Sequence, residues 1–95
     1  MSFKLSAEAE EDIIAIAEQG VRMFGAGQAK RYHDELFALF DPIAVNPGIA
    51  RERDEIDPPV RIYPKAHLIV YGIEDDDTIF VIRIRHAHDW ASDSI

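Results

Sequence analysis

Residues 60–86 read "VRIYPKAHLIVYGIEDDDTIFVIRIRH", and their pattern decides the fold. Three runs rich in β-branched and aromatic residues, "VRIY", "AHLIVYGI" and "IFVIRIRH", are separated by Pro64 and by the acidic segment "EDDDT". Runs of this kind, bounded by turn-forming residues, are typical of β-strands joined by hairpins. The segment therefore predicts three consecutive strands in a mostly antiparallel sheet.

The last run predicts two different faces, because successive side chains of a strand point to opposite sides of the sheet. Regular alternation gives one purely apolar face and one face that carries both arginines. The first face consists of Phe80, Ile82 and Ile84, and the second of Ile79, Val81, Arg83 and Arg85. We expect the first face to pack on the helices and the second to face solvent or a partner.

The segment before residue 46 predicts one short strand and two helices. "FKLS" at 3–6 is a strand candidate, and Ser6 stands where a helix N-cap is expected. Apolar residues then recur at a period near 3.6. The first stripe consists of Ala9, Ile13, Ile16, Ala17, Gly20, Val21 and Phe24, and the second, after "GAG" at 25–27, of Ala29, Tyr32, His33, Leu36, Phe37, Phe40, Ile43 and Ala44.

The second helix is expected to kink or end near Asp41, because Pro42 inside a straight helix costs about 3 kcal/mol. "NPG" at 46–48 closes the segment, and residues 48–59 show neither helical nor strand periodicity and are predicted to be a loop. The order of elements is then β-α-α-β-β-β.

This order predicts an α+β fold in a single domain spanning residues 1–95. A helical hairpin packs on one face of a small, mostly antiparallel sheet. No element is left to cover the second face, which is therefore expected to be open. An uncovered, partly apolar sheet face is a candidate surface for another chain.

The composition narrows the classes of function. The net charge of −8 argues against direct nucleic-acid binding, which usually requires an excess of lysine and arginine. The chain has no cysteine, so it forms neither a disulfide nor a thiolate metal site, and no cofactor is implied. The start lacks the apolar core of a secretory signal, and no apolar stretch approaches the roughly 20 residues of a membrane span. These features favour a cytoplasmic protein.

Several segments, in their order and spacing, resemble one protein family. They are "KLSAEAEEDI" at 4–13, "GAGQAKRYHDEL" at 25–36, "NPG" at 46–48, "RIYPKAHLIVYGIEDD" at 61–76 and "VIRIRHAHD" at 81–89. Together they look like the ParE branch of the RelE/ParE toxin superfamily, and the likeness spans residues 3–89. The resemblance implies a toxin of a type II toxin-antitoxin module. It further implies that a ParD-like antitoxin holds the toxin inactive in a heteromeric complex, and that the toxin inhibits DNA gyrase by binding it.

RelE-like members are similar in fold but cut messenger RNA on the ribosome, and this activity is the main alternative. Cleavage through the 2′-hydroxyl needs proton-transfer groups and cations near the phosphate. His86 or His88 could transfer protons, and Arg61, Arg83 and Arg85 could supply cations. The predicted sheet offers a single lysine, however, and the acidic net charge opposes binding to the ribosome. A further alternative is an inactive toxin that only partners the antitoxin in repressing their operon.

We therefore expect an antitoxin-binding surface and no catalytic site. Its predicted residues are Arg61, Arg83, Arg85, His86, His88 and Trp90. Fixed guanidinium groups on an open sheet face suit the carboxylates of a wrapping peptide. The alternative for the arginines is pairing with acids of the chain itself, such as Glu74 or Asp75.

The remaining polar residues have simpler interpretations. His86 and His88 form an H-x-H pair, but a zinc site is not favoured in a chain with no cysteine and only two other histidines. His33 lies on the apolar stripe of the second helix and is expected to be partly buried. His67 stands where the family often has a tyrosine. The acids at the start of the first helix, Glu8, Glu10, Glu11 and Asp12, are expected to be solvated.

Overall fold

A five-stranded mixed sheet organises the residues that the structure, a computed structural model, describes: 3–65 and 67–86. The strands are β1 (Phe3–Leu5), β2 (Glu52–Arg53), β3 (Val60–Pro64), β4 (His67–Ile73) and β5 (Ile79–His86). Their spatial order is β1-β5-β4-β3-β2; β1 runs parallel to β5, and all other neighbours are antiparallel. The α+β fold and the three consecutive strands of residues 60–86 are thus confirmed.

Between β1 and β2, where every residue is described, the chain forms three α-helices and a short 3-10 helix. They are α1 (Ala7–Phe24), α2 (Ala26–Ala38), α3 (Phe40–Val45) and the 3-10 helix Pro47–Ile49. Gly25 separates α1 from α2 with a φ of 88°, in the region that suits glycine. The expected break in the second helix is confirmed at Leu39. Pro42 falls in the first turn of α3, where its missing N–H removes no helical hydrogen bond.

The prediction that residues 48–59 are entirely a loop is wrong. The segment contains the end of the 3-10 helix and the two-residue strand β2, whose Glu52 and Arg53 pair with Arg61 and Val60 of β3. A strand of two charged residues leaves no apolar alternation in the sequence, because its pairing depends on the backbone. β2 therefore adds an edge strand that the sequence pattern did not indicate.

Ser6 connects α1 to β5 and confirms the predicted helix start. Its Oγ accepts a hydrogen bond from the Ala9 backbone N–H at 2.9 Å, as an N-cap does. The same hydroxyl donates to the Ile82 carbonyl at 2.6 Å, and the Ser6 backbone N–H donates to the Val81 carbonyl at 2.9 Å. The first turn of α1 is therefore fixed to the outer edge of β5, just beyond the end of β1.

The main core lies between the helices and one face of the sheet, which we call the helix side. Its buried side chains include Ala9, Ile13, Leu36, Phe40, Ile43, Ile69, Tyr71, Ile79, Val81 and Ile84. Gly20 allows α1 and α2 to approach closely, since a Cβ at this position would lie 3.3 Å from the Ala29 Cβ. The predicted stripes are confirmed for the first half of α1 and for α2 and α3. Val21 and Phe24, at the end of α1, are exposed instead.

A β-bulge interrupts the alternation of β5. Val70 of β4 pairs with Arg83, and the next residue, Tyr71, pairs with Val81, so that Ile82 is the extra residue of the bulge. An extra residue in one strand shifts the side-chain pattern by one position relative to the partner strand. Before the bulge, the odd-numbered residues of β5 therefore face the helix side, and after the bulge the even-numbered residues do.

The two-face pattern predicted for β5 is wrong as a consequence. Ile79, Val81 and Ile84 all lie on the helix side, whereas Phe80 and Ile82 lie on the second face. Every residue of this run is compatible with β structure, so the position of a bulge cannot be read from residue types. The strand positions of Arg83 and Arg85 do belong to the second face, as predicted, because each residue pairs with a β4 residue of that face.

The second face of the sheet is not open at its centre, contrary to the prediction. Val60, Ile62 and Val70 form a second apolar cluster there and are at most 7% exposed. Ile56, from the connection between β2 and β3, packs on this cluster. This connection belongs to the segment predicted to be a loop for lack of either periodicity, yet its one large apolar residue folds back over the sheet.

Asp12 of α1 binds the outer edge of β5 beyond β1. Its Oδ2 accepts hydrogen bonds from the Arg83 Nε at 2.8 Å and from the Ile84 backbone N–H at 2.9 Å, and its Oδ1 accepts from the Arg83 Nη2 at 3.0 Å. The Asp12 side chain is only 15% exposed. The expectation that all acids at the start of α1 are solvated is therefore wrong for Asp12, which fixes the helix to the sheet.

Replacing Asp12 with alanine should lower the free energy of unfolding by about 2 to 4 kcal/mol, because it removes the acceptor that the Arg83 guanidinium and the Ile84 N–H share. Glu11→Ala is the matched control: this neighbouring acid is exposed, and its replacement should change stability by no more than about 0.5 kcal/mol. Urea unfolding followed by circular dichroism measures both variants. Equal losses in the two would contradict the role of Asp12.

Candidate partner-binding surfaces

The residues predicted to bind an antitoxin do not form one surface. Arg61 lies on the helix side of β3, paired with Tyr71 of the core. Arg83 and Arg85 start on the second face, and His86 is again on the helix side. The predicted set is therefore divided between two faces of the sheet.

His88 and Trp90, predicted for the same surface, lie outside the described residues. A role in antitoxin binding for any of the six residues stays a prediction.

Arg61 and Arg83 make polar contacts within the chain. Arg61 Nη1 donates to the Ala50 carbonyl at 2.6 Å, and Arg83 holds the Asp12 carboxylate with two nitrogens. The alternative that arginines pair with acids of the chain is thus correct for Arg83, although the acid belongs to α1 and not to the turn at 74–78. Cations engaged in this way are poorly placed to bind an incoming phosphate.

Three rings from α2, β4 and β5 lie in a row near the C-terminal end of β5. The Tyr32 hydroxyl is hydrogen-bonded to Nδ1 of His67, and the two ring centroids are 5.5 Å apart. The His67 ring meets the His86 ring edge to face, with centroids 4.6 Å apart. We call His67 and His86 the imidazole pair. Burial raises the pKa of Tyr32 above its ordinary value of 10.0, and the Glu35 carboxylate raises it further, so the hydroxyl keeps its proton at neutral pH.

An apolar groove of about 420 Å³ lies between α1 and α2 and reaches the imidazole pair. We call it the helix groove. Its apolar lining includes Ile13, Ile16, Ala17, Gly20, Met23, Phe24, Ala29, Tyr32 and Leu36. Met23 and Phe24, at the tip of the helical hairpin, are 62% and 60% exposed. Large apolar side chains exposed next to an apolar groove are typical of a protein-binding surface.

A second pocket, of about 190 Å³, shares the imidazole pair with the helix groove. We call it the edge pocket, and its polar lining also includes Asp12, Gln19 and Arg85. The Asp12 carboxylate is already engaged by Arg83 and by a backbone N–H. The other polar groups are a guanidinium, an amide and two imidazoles, which can all donate hydrogen bonds. The edge pocket is therefore more polar than the helix groove.

Sequence reasoning missed the imidazole pair, because the residue types do not show where the register between β4 and β5 shifts. Counting outward from the turn at 74–78, a regular hairpin that pairs Ile73 with Ile79 places Arg85 opposite His67. The bulge shifts this register by one residue and places His86 there. The bulge therefore decides which side chain meets His67.

The described residues, 3–65 and 67–86, bring no three histidine, aspartate or glutamate side chains close enough together to hold a metal ion. Within the same ranges, none of the helices combines the length and apolar character that crossing a membrane requires.

Residues 3–90 match the family described as the ParE toxin of the type II toxin-antitoxin system parDE. Among solved structures, the chain is similar to one titled "Chromosomal ParDE TA system from P. aeruginosa", with a TM-score of 0.74 and 23% sequence identity. This likeness covers 90% of the present chain and 95% of the other, and at such identity it supports the fold alone. No curated protein matches the sequence.

The partly buried hydroxyls of Tyr32 and Tyr71 should make the fold sensitive to alkali. Burial raises the pKa of Tyr71, like that of Tyr32, above the ordinary value of 10.0. A phenol with a raised folded-state pKa contributes stability that is fully present below pH 10 and is lost as the pH rises through the folded-state pKa. The free energy of unfolding should therefore fall above about pH 10, and fall less steeply when both tyrosines are replaced with phenylalanine. Urea unfolding between neutral and strongly alkaline pH measures the two slopes, and identical slopes would refute the prediction.

Proposed function

Because this chain belongs to the ParE toxin family of type II toxin-antitoxin systems, we propose that it arrests growth by binding DNA gyrase. The family match over residues 3–90 carries this proposal. In it, the toxin inhibits gyrase by adhesion, and its own residues break no bond in a nucleic acid. A ParD-like antitoxin holds the toxin inactive in a heteromeric complex. Gyrase acts on chromosomal DNA, so the proposed site of action is the cytoplasm.

The contacts of the described residues support binding over RNA cleavage. A nuclease needs cations arranged in advance around the phosphate that is attacked. Arg61 and Arg83 instead donate to acceptors of their own chain. The net charge of −8 also opposes approach to the ribosome. Cleavage of messenger RNA is the competing function that an assay must separate from gyrase inhibition.

The exposed apolar surface supports a protein as the target. Met23 and Phe24 extend the apolar helix groove to the tip of the hairpin. Small, mostly apolar surfaces with a polar rim are well suited to binding another protein chain. Both the proposed target and the proposed antitoxin are proteins, so the surface fits either of them.

The purified chain, freed of antitoxin, should inhibit supercoiling of relaxed plasmid by gyrase and should leave transcripts on ribosomes intact. The matched control is the same chain in complex with its antitoxin, which should leave supercoiling unchanged. Plasmid topology on agarose gels and primer extension on ribosome-bound transcripts give the two readouts. Cleaved transcripts with normal supercoiling would identify a nuclease. Normal supercoiling together with intact transcripts would identify an inactive toxin that serves only as the antitoxin's partner.

The predicted antitoxin contact is best tested at Arg85. A guanidinium that binds a carboxylate of the antitoxin through charge-assisted hydrogen bonds is worth about 1.5 kcal/mol or more, so Arg85→Ala should weaken the complex by about tenfold. Arg51→Ala is the control, because the Arg51 side chain is 70% exposed and lies outside the predicted surface. Calorimetric titration with the antitoxin measures the affinities, and thermal unfolding checks that both variants fold. Equal affinities for the two variants would remove Arg85 from the interface.

A further inference from the structure

The chain leaves β5 directly at the helix groove. Among the described residues that line the groove, the sheet contributes His67 and His86, the first residue of β4 and the last residue of β5. The others belong to α1 and α2, so the helical hairpin extends beyond the end of these two strands. The next residues in the sequence, 87–95, read "AHDWASDSI" and therefore begin at the edge of an apolar groove.

We propose that Trp90 occupies the helix groove of its own chain, so that residues 87–95 form a cap over the apolar surface between α1 and α2. A protein that uses this surface then has to displace the cap. The inference goes beyond the proposed function, because it concerns the isolated chain and holds whichever partner binds. It and the gyrase proposal can therefore fail separately.

The segment is long enough for this contact. His86 shares the edge pocket with Ile16 and Gln19, so β5 ends beside the middle of α1. Trp90 follows His86 by four residues, which span at most about 14 Å when extended. The wall of the groove from Ile16 to Met23 rises about 10 Å, since α1 gains about 1.5 Å with each residue. The indole can therefore reach this wall along its length.

The lining of the groove matches the chemistry of an indole. Its volume of about 420 Å³ lies in the range of pockets that bind small molecules, so it has room for one large aromatic side chain. A buried indole also needs an acceptor for its N–H. Gln19 of α1 and Gln28 of α2 line the groove, and a side-chain amide oxygen is such an acceptor. Apolar walls with an amide on each side therefore suit Trp90.

The charges of the hairpin tip complement those of the segment. In a chain whose net charge is −8, residues 19–33 carry three exposed cations and no acid. The three cations are Arg22, Lys30 and Arg31. The segment has the opposite character, because Asp89 and Asp93 flank Trp90 in the sequence. A large aromatic residue between two acids therefore suits an apolar groove with a basic tip.

A tethered occupant has an advantage over a free one. A short flexible linker holds its ligand at an effective concentration in the millimolar range. A free protein at micromolar concentration must therefore bind the groove roughly a thousandfold more tightly than the segment itself does. The cap thus excludes weak, unspecific partners from the exposed apolar surface and admits a partner that binds tightly.

Trp90 is the only tryptophan of the chain, so its fluorescence reports the contact directly. In the isolated full chain, its emission should lie at the short wavelength of a buried indole. Acrylamide should quench this emission several times less than it does after unfolding in urea. Both readouts are measured over a range of protein concentrations, with and without the antitoxin.

Two variants of α1 locate the indole. Met23→Glu places a carboxylate in the lining of the groove, where it removes apolar contact and repels Asp89, so it should shift the emission to longer wavelength and restore quenching. Val21→Glu is the matched control, because Val21 is an exposed apolar residue near the same end of α1 but is not among the described residues of the lining. It should keep Trp90 shielded. Circular dichroism checks that both variants fold.

An exposed Trp90 in the isolated chain would overturn the cap, and so would equal shielding in Met23→Glu and Val21→Glu, which would place the indole outside the groove. Shielding that disappears on dilution would assign the indole to the groove of a second copy. Shielding that arises only when the antitoxin is added would assign the groove to the partner. Each of these results leaves the gyrase proposal standing, whereas normal supercoiling with a shielded Trp90 would contradict that proposal alone.

Discussion

The attachment of α1 to the outer edge of β5 is the contact on which the rest of the structure depends. β1 pairs with residues 79–81 only, so the edge of β5 beyond it needs other partners. Ser6 binds the Ile82 carbonyl, and Asp12 binds the Ile84 N–H. Six helical residues rise about 9 Å, and two strand residues about 7 Å, so the two contacts hold the helix along the strand. The far half of α1 then extends past the core and forms a wall of the helix groove.

Much of the fold could be predicted because the relevant signals are local. The three strands of residues 60–86, the Ser6 cap and the break between α1 and α2 follow from neighbouring residues in the sequence. The contacts that fix these elements together are not local: Asp12 and Arg83 are 71 residues apart, and nothing in the acidic run around Asp12 distinguishes it from its exposed neighbours. The burial of the second face escaped prediction for the same reason, since Ile56 is one apolar residue in a charged connection.

The candidate site was harder to predict than the fold because it depends on register. The bulge leaves Ile82 outside the regular pairing between β4 and β5. As a result, His86 and not Arg85 lies opposite His67. The same shift turns Ile84 to the helix side, where it is buried in the core. A buried isoleucine stabilises the shifted register, because regular pairing would exchange it for an arginine. The imidazole pair is thus a consequence of packing that lies elsewhere in the strand.

The exposed end of α1 connects this architecture to binding. One apolar stripe runs along the helix: its first half is buried against β5, while Val21 and Phe24 at its far end are exposed. Burying a side chain of this size contributes about 1.5 to 3 kcal/mol, which is considerable for a chain of 95 residues. Val21 and Phe24, exposed at the tip of the hairpin, do not contribute this stability. A partner that packs there would continue the stripe and enlarge the core, so its binding would also stabilise the fold, since a ligand that binds only the folded state shifts the folding equilibrium towards it. Such coupling suits the proposed toxin-antitoxin complex, because the same apolar surface would serve both the stability of that complex and the contact with the proposed target after release.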